Sequence, residues 1–366
     1  MSEQPIVFEE WPLRDGRLGV ARLVMPRALN ALSMDMIDLL GPQLARWAAD
    51  DSIKAVWLEG EGDKAFCAGG DVIALYRDMT EPRAAGGESY GERFFRVEYE
   101  LDYQIHTFPK PVICWGHGIV MGGGMGLMAG ASHRVVTEGS RLAMPEVGIG
   151  LYPDVGAGWF LNRMPGRTGL FLGLTGAHMN AADALFVGLG DRFVRHQDKP
   201  GVLRALQETD WTVASAHTTV SRVLRKAEQG SLKALADSPV REHFDTIQRL
   251  TDADSTADLV ANIQAYRGDS RWLSKAAASL ASASPTSMAI IWHHLQLSRT
   301  SSLVEVLNRE YGLSVQCLRK GEFAEGIRAL LIDKDQQPRW RYPALEAVDP
   351  AWIDDFFAGP TGSLKG

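Results

Sequence analysis

The chain has 366 residues, of which 45% are hydrophobic and 23% are charged, so it is long enough to bury a large core. A formal net charge of −7 argues against a nucleic-acid-binding protein, a class that is more often basic. The sequence contains no apolar run long enough to predict a membrane-spanning segment. The acidic first residues resemble neither a secretory signal nor a transit peptide. We therefore expect a cytoplasmic protein, or a mitochondrial matrix protein if this is a mature eukaryotic form.

The N-terminal part of the chain predicts two strands, a helix and a third strand. Residues 17–24 have a strand-like pattern, and Ser33 is placed to cap a helix over residues 34–49. The apolar run 55–58 is typical of a buried strand. The next segment, residues 66–71, is expected to be a turn that feeds a helix.

A long helix is predicted over residues 88–107, with strands at 111–115 and 133–137. Between these two strands, the glycine-rich run 122–126 is expected to open another helix. Strands that alternate with helices predict βαβ units, and hence a mixed or parallel sheet covered by helices.

From about residue 196, the sequence is rich in Ala, Leu, Arg, Glu and Gln at helical spacing. Helices are expected to start at Ser284, to cover residues 303–319 and to follow Pro350. We therefore divide the chain into an α/β core, residues 1–195, and a helical C-terminal region, residues 196–366.

Two glycine-rich turns, one with Gly70 and one with Gly123, lie where a strand ends and a helix starts. Free N–H groups at a helix N-terminus favour a negative oxygen, so two such amides could form an oxyanion hole. Glycines also serve for tight packing of a helix on a strand, and either turn alone is a weak signal. The run 122–126 lacks the spacing of a dinucleotide-binding loop.

Two acids, Glu146 and Asp154, lie in a mostly apolar loop rich in Gly and Pro. If they are buried, their pKa values will be perturbed in the way that acid–base chemistry requires. The alternative interpretation is that they are loop acids that cap helices. Glu98 lies among aromatic and apolar residues on the predicted helix, and its local sequence alone suggests a solvated helix charge.

The three cysteines, Cys67, Cys114 and Cys317, show neither CxxC pairing nor a spacing typical of zinc ligands. We expect three reduced thiols and no metal site. Cys67 lies in a glycine-rich turn, but no base stands near it in the sequence, which disfavours a nucleophilic role.

Taken together, these residues resemble the crotonase (enoyl-CoA hydratase/isomerase) superfamily. The resemblance is carried by four motifs in the family's order: Pro26–Leu32, Ala65–Asp71, Met121–Gly124 and Pro145–Glu146. It implies an α/β fold, a crotonase-like spiral of ββα units followed by a helical C-terminal region. It also implies that the amides of Gly70 and Gly123 form the oxyanion hole for a thioester carbonyl.

The same resemblance assigns further residues to substrate binding. The segment Arg27, Ala28 and Leu29 and the turn at Ala68 and Gly69 would help to hold a bent coenzyme A. Glu98 would match a position that contacts the substrate.

Within the superfamily, the sequence resembles the 3-hydroxyisobutyryl-CoA hydrolases of valine breakdown. The position of the first catalytic glutamate of hydratases is Gly126 here, whereas Glu146 is retained and Asp154 stands where hydratases commonly have Gly. Four segments of the C-terminal region support the same resemblance: Ser284–Ser287, Glu310–Ser314, Glu325–Asp335 and Pro338–Trp340.

The resemblance implies that a short 3-hydroxyacyl-CoA is the substrate and that Glu146 acts as general base or as nucleophile. Asp154 and Glu98 would bind the acyl 3-hydroxyl and orient the acyl group. No cofactor is expected, because coenzyme A is part of the substrate. The alternatives are an isomerase or hydratase-type lyase and a non-catalytic scaffold that binds CoA or RNA. Crotonases often form trimers or hexamers, so a homo-oligomer is compatible with the resemblance.

Overall fold

A computed structural model describes residues 4–81 and 87–365 of the chain. The described residues form two compact units, which we name the sheet unit and the acid unit. The sheet unit falls within Met1–Gly70, Leu101–Leu142 and Met179–Arg241. The acid unit falls within Asp71–Glu100, Ala143–His178 and Glu242–Gly366. The boundary predicted from the sequence, between residues 195 and 196, stays a prediction.

The strands are, in chain order, β1 Ile6–Leu13, β2 Gly16–Leu23, β3 Ile53–Gly60, β4 Ala65–Cys67, β5 Val112–Gly116, β6 Ile119–Met121, β7 His133–Val136, β8 Arg141–Ala143 and β9 Arg192–Phe193. Six of them form one sheet in the order β1-β2-β3-β5-β7-β9. β1 and β2 are antiparallel, and the pairs from β2 to β9 are parallel. The predicted mixed sheet is therefore confirmed.

The core of the sheet unit is built on alternate residues of the central strands. Trp57 of β3 and Trp115 of β5 stack with ring centroids 5.4 Å apart, and neither side chain is exposed. Leu18, Val20 and Val135 extend the same buried cluster. Burial of such aromatic surfaces contributes the largest share of core stability.

A second, three-stranded sheet has the order β4-β6-β8. The pairs β3/β4, β5/β6 and β7/β8 each contribute their first strand to the large sheet and their second strand to the small sheet, which gives the expected ββα repetition. The strands of the small sheet have three residues each. Because so short a strand carries no readable alternation, the sequence predicted only a turn at residues 66–71.

The helices that flank these strands or precede residue 196 are α1 Met34–Ala49, α2 Val72–Thr80, α3 Tyr90–His106, α4 Gly123–Gly130, α5 Ala157–Phe160, α6 Thr168–Thr175 and α7 Ala181–Val187. The helices that follow are α8 Lys199–Glu208, α9 Ala216–Ser231, α10 Pro239–Glu242, α11 Phe244–Leu250, α12 Thr256–Gln264, α13 Arg271–Ser279, α14 Pro285–Ser298, α15 Leu303–Lys320, α16 Phe323–Ile327 and α17 Pro350–Phe357.

The predicted helix starts are confirmed at their caps. Ser33 accepts a hydrogen bond from the Met36 N–H at the start of α1, and Ser284 accepts one from the Ser287 N–H at the start of α14. Beyond β9, the described residues contain helices and loops only, as expected for the C-terminal region. No helix within residues 4–81 and 87–365 is both long enough and apolar enough to cross a membrane.

Candidate active site

In the sheet unit, the two glycine turns follow two paired strands. β4 and β6 are parallel, with Cys67 opposite Val120. Counting three residues onward from each partner leads to Gly70 and Gly123. Neighbouring strands lie about 4.8 Å apart, so the two glycine turns follow strand ends that lie side by side.

Close packing of the two turns requires glycine. Gly69 has φ +121°, a backbone conformation that residues with a Cβ rarely adopt. A Cβ on Gly124 would lie 2.2 Å from the Cys67 carbonyl oxygen, which is closer than atoms can approach. The packing interpretation is therefore correct for Gly124, and it is compatible with an anion site because the neighbouring Gly123 is the first residue of α4.

The amides themselves are available for a ligand. Gly123 opens α4, and the first N–H groups of a helix have no acceptor within the helix. Within the described residues, the Gly70 N–H has no backbone acceptor.

The segment predicted to hold coenzyme A lies beside the first glycine turn. The Ala68 N–H donates to the Leu29 carbonyl at 3.1 Å, and the Leu32 N–H donates to the Gly69 carbonyl at 2.8 Å. Leu29 and Asn30 both have left-handed φ angles, 53° and 54°. The buried Asn30 amide secures this bend by donating to the Glu61 and Ala65 carbonyls. Arg27 and Ala28 are exposed, so they are accessible to a ligand.

In the acid unit, Glu146 is the first residue of a 3-10 helix, Glu146–Ile149, and is only 5% exposed. Its side chain caps no helix, so the capping interpretation fails for this residue. Within the described residues, nothing hydrogen bonds to Oε2. Burial, and then the neighbouring Asp154 charge, raise the pKa of Glu146 well above its usual value. A buried carboxyl oxygen without a partner is available to water or to a substrate.

The backbone just after Glu146 is held by contacts with two other parts of the acid unit. A Cβ on Gly326 of α16 would lie 2.2 Å from the Ile149 backbone, so this helix packs directly on the 3-10 helix. The Ser284 N–H donates to the Val147 carbonyl at 3.1 Å. These two contacts hold the backbone of the 3-10 helix that starts at Glu146.

Asp154 is 3% exposed, and its Oδ2 lies 2.6 Å from the Tyr99 hydroxyl. Burial raises the pKa of Asp154 to about 7, with the hydrogen bond to Tyr99 lowering it and the negative charge of Glu310 raising it. Asp154 therefore has the perturbed pKa that the sequence predicted for a buried acid.

Glu310 holds the backbone just after Asp154. Its carboxylate accepts hydrogen bonds from the Gly156 N–H at 2.6 Å and the Gly158 N–H at 2.9 Å, and Oε1 lies 3.0 Å from His294 Nε2. Val155 has a left-handed φ of 53°, which is costly for a β-branched residue. The Glu310 bonds compensate for that cost and fix the Asp154 side chain in its orientation.

Glu98 is 2% exposed, so the interpretation of this residue as a solvated helix charge was wrong. It lies on the face of α3 that also buries Phe94, Phe95 and Tyr99, and these aromatic neighbours exclude water. Its assignment as a substrate contact stays a prediction.

Sequence reasoning missed Tyr99, whose hydroxyl bonds to Asp154, and also Ser314 and Tyr152, whose hydroxyls continue from it in a row. The available signal was the spacing of Glu310 and Ser314, two polar residues four apart on one helix face among apolar residues.

The three cysteines are free and buried, and burial raises the pKa of the Cys114 thiol well above its usual value. A nucleophilic thiolate at Cys114 is therefore disfavoured. Within the described residues, no group of three or more His, Cys, Asp or Glu side chains is arranged to hold a metal ion.

The structure thus brings Arg27–Leu29, Ala68–Gly70 and Gly123 together in the sheet unit. In the acid unit it buries Glu98, Glu146 and Asp154. The sheet unit offers donors for a negative oxygen, and the acid unit offers two carboxyl groups with raised pKa values.

Known proteins resemble this chain over nearly its whole length. The family described as enoyl-CoA hydratase/isomerase matches residues 18–357. The mitochondrial 3-hydroxyisobutyryl-CoA hydrolase of Danio rerio is 38% identical, over 94% of this chain and 87% of its own length. A crystal structure of an enoyl-CoA hydratase from Rhodobacter sphaeroides has a TM-score of 0.82 at 35% identity, covering 98% of this chain and 99% of that one. A carnitinyl-CoA dehydratase from Mycobacterium thermoresistibile has a TM-score of 0.84 at 33% identity, covering 100% of both chains.

Proposed function

The chain belongs to the enoyl-CoA hydratase/isomerase family, and from this premise we propose that it hydrolyses 3-hydroxyisobutyryl-CoA, or a similar short 3-hydroxyacyl-CoA, to the free acid and CoA. Its fold is the crotonase-type α/β fold with a helical C-terminal region. The proposed reaction is a step of valine breakdown.

The observation that carries the proposal is the pair of buried acids, Glu146 and Asp154, combined with the glycine at position 126. A hydratase that adds water across a double bond uses two glutamates, and the first of these has no counterpart at Gly126. The retained Glu146, with one free carboxyl oxygen, suits attack on a thioester carbonyl. The relative named as a hydrolase supports the same conclusion.

In the proposed mechanism, the thioester oxygen accepts hydrogen bonds from the Gly70 and Gly123 amides. These donors stabilise the negative charge that develops as the carbonyl carbon becomes tetrahedral. Glu146 either removes a proton from the attacking water or attacks the carbonyl itself, to give a mixed anhydride that water then cleaves. CoA leaves as the thiol once a proton reaches its sulfur.

Asp154 and Glu98 are proposed to bind the acyl group, with Asp154 accepting the hydrogen bond of the 3-hydroxyl. The exposed residues Arg27 and Ala28, together with Leu29, Ala68 and Gly69, are proposed to hold the bent CoA. The proposed hydrolysis consumes water only, so we propose no cofactor beyond the CoA of the substrate.

The second candidate is an isomerase or hydratase-type lyase. It is favoured by the two structural relatives named as a hydratase and a dehydratase, which match the chain over its full length. One glutamate and an oxyanion hole suffice for moving a proton next to a thioester.

A thiol-release assay with a panel of short acyl-CoAs tests the proposal. Stoichiometric release of free CoA, fastest with 3-hydroxyisobutyryl-CoA, is the expected result. Conversion of an enoyl-CoA without release of thiol would overturn the proposal in favour of a lyase.

The location and assembly of the protein stay predictions. The Danio rerio relative is named as mitochondrial, and we propose the mitochondrial matrix or the cytoplasm according to the source of the chain. The proposed partner is the acyl-CoA substrate, with neither nucleic acid nor membrane as a partner. The proposed assembly into a homo-oligomer can be tested by light scattering, which measures the molar mass of the protein in solution.

A further inference from the structure

Three buried hydroxyl groups connect the Asp154 carboxyl to the backbone of α15. The Tyr99 hydroxyl lies 2.6 Å from Asp154 Oδ2 and 2.7 Å from the Ser314 hydroxyl. The Ser314 hydroxyl in turn lies 2.8 Å from the Tyr152 hydroxyl, and Tyr152 donates to the Glu310 carbonyl at 2.6 Å. All five residues are almost completely buried, and all belong to the acid unit. We name Tyr99, Ser314 and Tyr152 the hydroxyl chain.

Each of the four oxygen–oxygen contacts in this row needs one hydrogen atom between its two oxygens. The three hydroxyl groups supply three hydrogens, and the Glu310 carbonyl supplies none. A protonated Asp154 supplies the fourth. Donation then runs in one direction, from Asp154 through Tyr99, Ser314 and Tyr152 to the carbonyl.

An ionised Asp154 leaves the row one hydrogen short. Tyr99 then donates to the carboxylate and Tyr152 still donates to the Glu310 carbonyl, so the single Ser314 hydrogen must serve two phenol oxygens. One contact is left with two lone pairs facing each other, which costs free energy in a buried site. The row of contacts therefore favours the neutral carboxyl.

We infer that the hydroxyl chain keeps a proton on Asp154 and thereby leaves Glu146 as the ionised member of the two carboxyl groups. Two neighbouring buried carboxyl groups do not readily ionise together, so one of the two keeps a proton. The surrounding hydrogen bonds decide which one it is. The inference rests on the proposed function insofar as Glu146 must be an anion to act as base or nucleophile.

The charges around Asp154 act in the same direction. Glu310, which accepts two backbone N–H groups, opposes ionisation of Asp154 through its negative charge. The hydrogen bond to Tyr99 lowers the pKa of Asp154 only in the state in which the phenol donates to it. The other titratable groups facing this region are Glu98 and Tyr99 on α3, Glu146 and Tyr152 in the loop, Cys317 on α15 and, through Glu310, His294 on α14.

The placement of the proton has a consequence for the reaction. Burial raises the pKa of Glu146 and a negative Asp154 raises it further, so a neutral Asp154 removes the second of these two obstacles to ionisation of Glu146. With Oδ2 donating to Tyr99, Oδ1 remains a neutral acceptor for the substrate 3-hydroxyl. Tyr99, Ser314 and Tyr152 are thus positioning residues that act through Asp154.

Infrared difference spectroscopy tests the inference without requiring turnover. The C=O stretch of a protonated carboxylic acid is recorded near neutral pH for the natural protein, Asp154→Asn and Glu146→Gln. We expect the band to disappear in Asp154→Asn and to persist in Glu146→Gln. The reverse pattern, or no such band in the natural protein, would overturn the inference. Because this readout is independent of thiol release, failure of the proposed function would be recognised separately.

A second measurement addresses the hydroxyl chain itself. In Ser314→Ala, Tyr99 can donate to an ionised Asp154 without any shortage of hydrogen, so the pH at which the band is lost should fall by about one unit. The basic limb of kcat/KM for thiol release should move by the same amount. Tyr152→Phe removes the same shortage and should give the same shift if Ser314→Ala fails to fold.

The matched control is Thr175→Val, which deletes a buried hydroxyl of the acid unit that donates to its own helix at Phe171. It should leave the infrared titration unchanged. An unshifted titration in both Ser314→Ala and Tyr152→Phe would show that the hydroxyl chain does not hold the proton.

Discussion

The sheet unit and the acid unit differ in the kind of group that each is proposed to contribute to the reaction. In the sheet unit, the groups proposed to act are backbone amides, and they follow two strands, β4 and β6, that pair side by side. In the acid unit, they are side chains, and hydrogen bonds from distant parts of the chain orient them. A backbone site should therefore be sensitive to glycine substitutions and indifferent to charge, whereas a carboxyl site should be sensitive to charge and to pH.

The largest effect is expected from Glu146→Gln. The amide keeps the shape of the side chain but cannot act as base or nucleophile, so thiol release should fall by about 10²–10⁴-fold. CoA binding, measured by calorimetry, should change little, because the proposed CoA contacts are in the sheet unit. Near-normal turnover would remove Glu146 from the chemical step.

Gly70→Pro should give the next largest loss, because proline has no N–H to donate to the thioester oxygen. Removal of one oxyanion donor costs on the order of 10²–10³-fold in kcat. Gly70→Ala keeps the N–H and serves as the matched control, with circular dichroism to verify folding. A folded and fully active proline variant would show that this amide is not a donor.

Gly124→Ala tests the packing of the two glycine turns. The added Cβ would lie 2.2 Å from the Cys67 carbonyl oxygen, so we expect a loss at the upper end of about 1–3 kcal/mol in the free energy of unfolding. Gly201 in α8 has open space around its Cβ position, and Gly201→Ala should instead gain about 0.5–1 kcal/mol. Urea unfolding of both variants measures the contrast, and equal stabilities would contradict it.

The acid unit should also give the protein a pH-dependent stability. Burial raises the pKa of Asp154 from 3.8 to about 7, so between these values the folded state holds a proton that the unfolded state releases. Stability then falls as pH rises, by at most about 1.4 kcal/mol per pH unit for this one group. Asp154→Asn carries no such proton, so its stability relative to the natural protein should increase from about pH 5 to about pH 7.

The effect of Gly124→Ala, in contrast, should be the same at both pH values, because no titrating group is involved. A stability difference for Asp154→Asn that does not change with pH would contradict the raised pKa.

The smallest effect expected is on substrate choice. Asp154→Gly should lower kcat/KM for 3-hydroxyisobutyryl-CoA about tenfold or more relative to isobutyryl-CoA, because the 3-hydroxyl loses its acceptor. Asp154→Asn retains a neutral acceptor and should keep most of the preference. Equal losses on both substrates would instead assign Asp154 to the chemical step.

The sequence predicted the sheet unit well, because its signals are local. Each signal predicts the structure of residues close to it in the sequence: Ser33 predicts a helix start, the apolar runs predict strands, and the glycine turns predict the ends of strands. The short strands of the small sheet were not predicted, because three residues are too few to show the alternation of buried and exposed side chains that is typical of a strand.

The acid unit was predicted less completely. Glu146 and Asp154 were identified by their apolar surroundings and by resemblance, and the structure confirms that they are buried. The partners of Asp154 could not be found in this way. Tyr99 is 55 residues from Asp154 and 215 residues from Ser314, and no periodicity in one sequence links positions so far apart.

The pairing of β4 with β6 also bears on how such an enzyme can change over evolutionary time. Cys67 and Val120, which precede the two glycine turns, lie opposite each other because the strands pair, whatever the length of chain that separates them. The intervening segment that holds α2 and α3 can therefore lengthen, shorten or exchange its side chains while the two strands stay paired. On the proposed function, changes in that segment adapt the enzyme to new acyl groups, and the proposed oxyanion donors are retained.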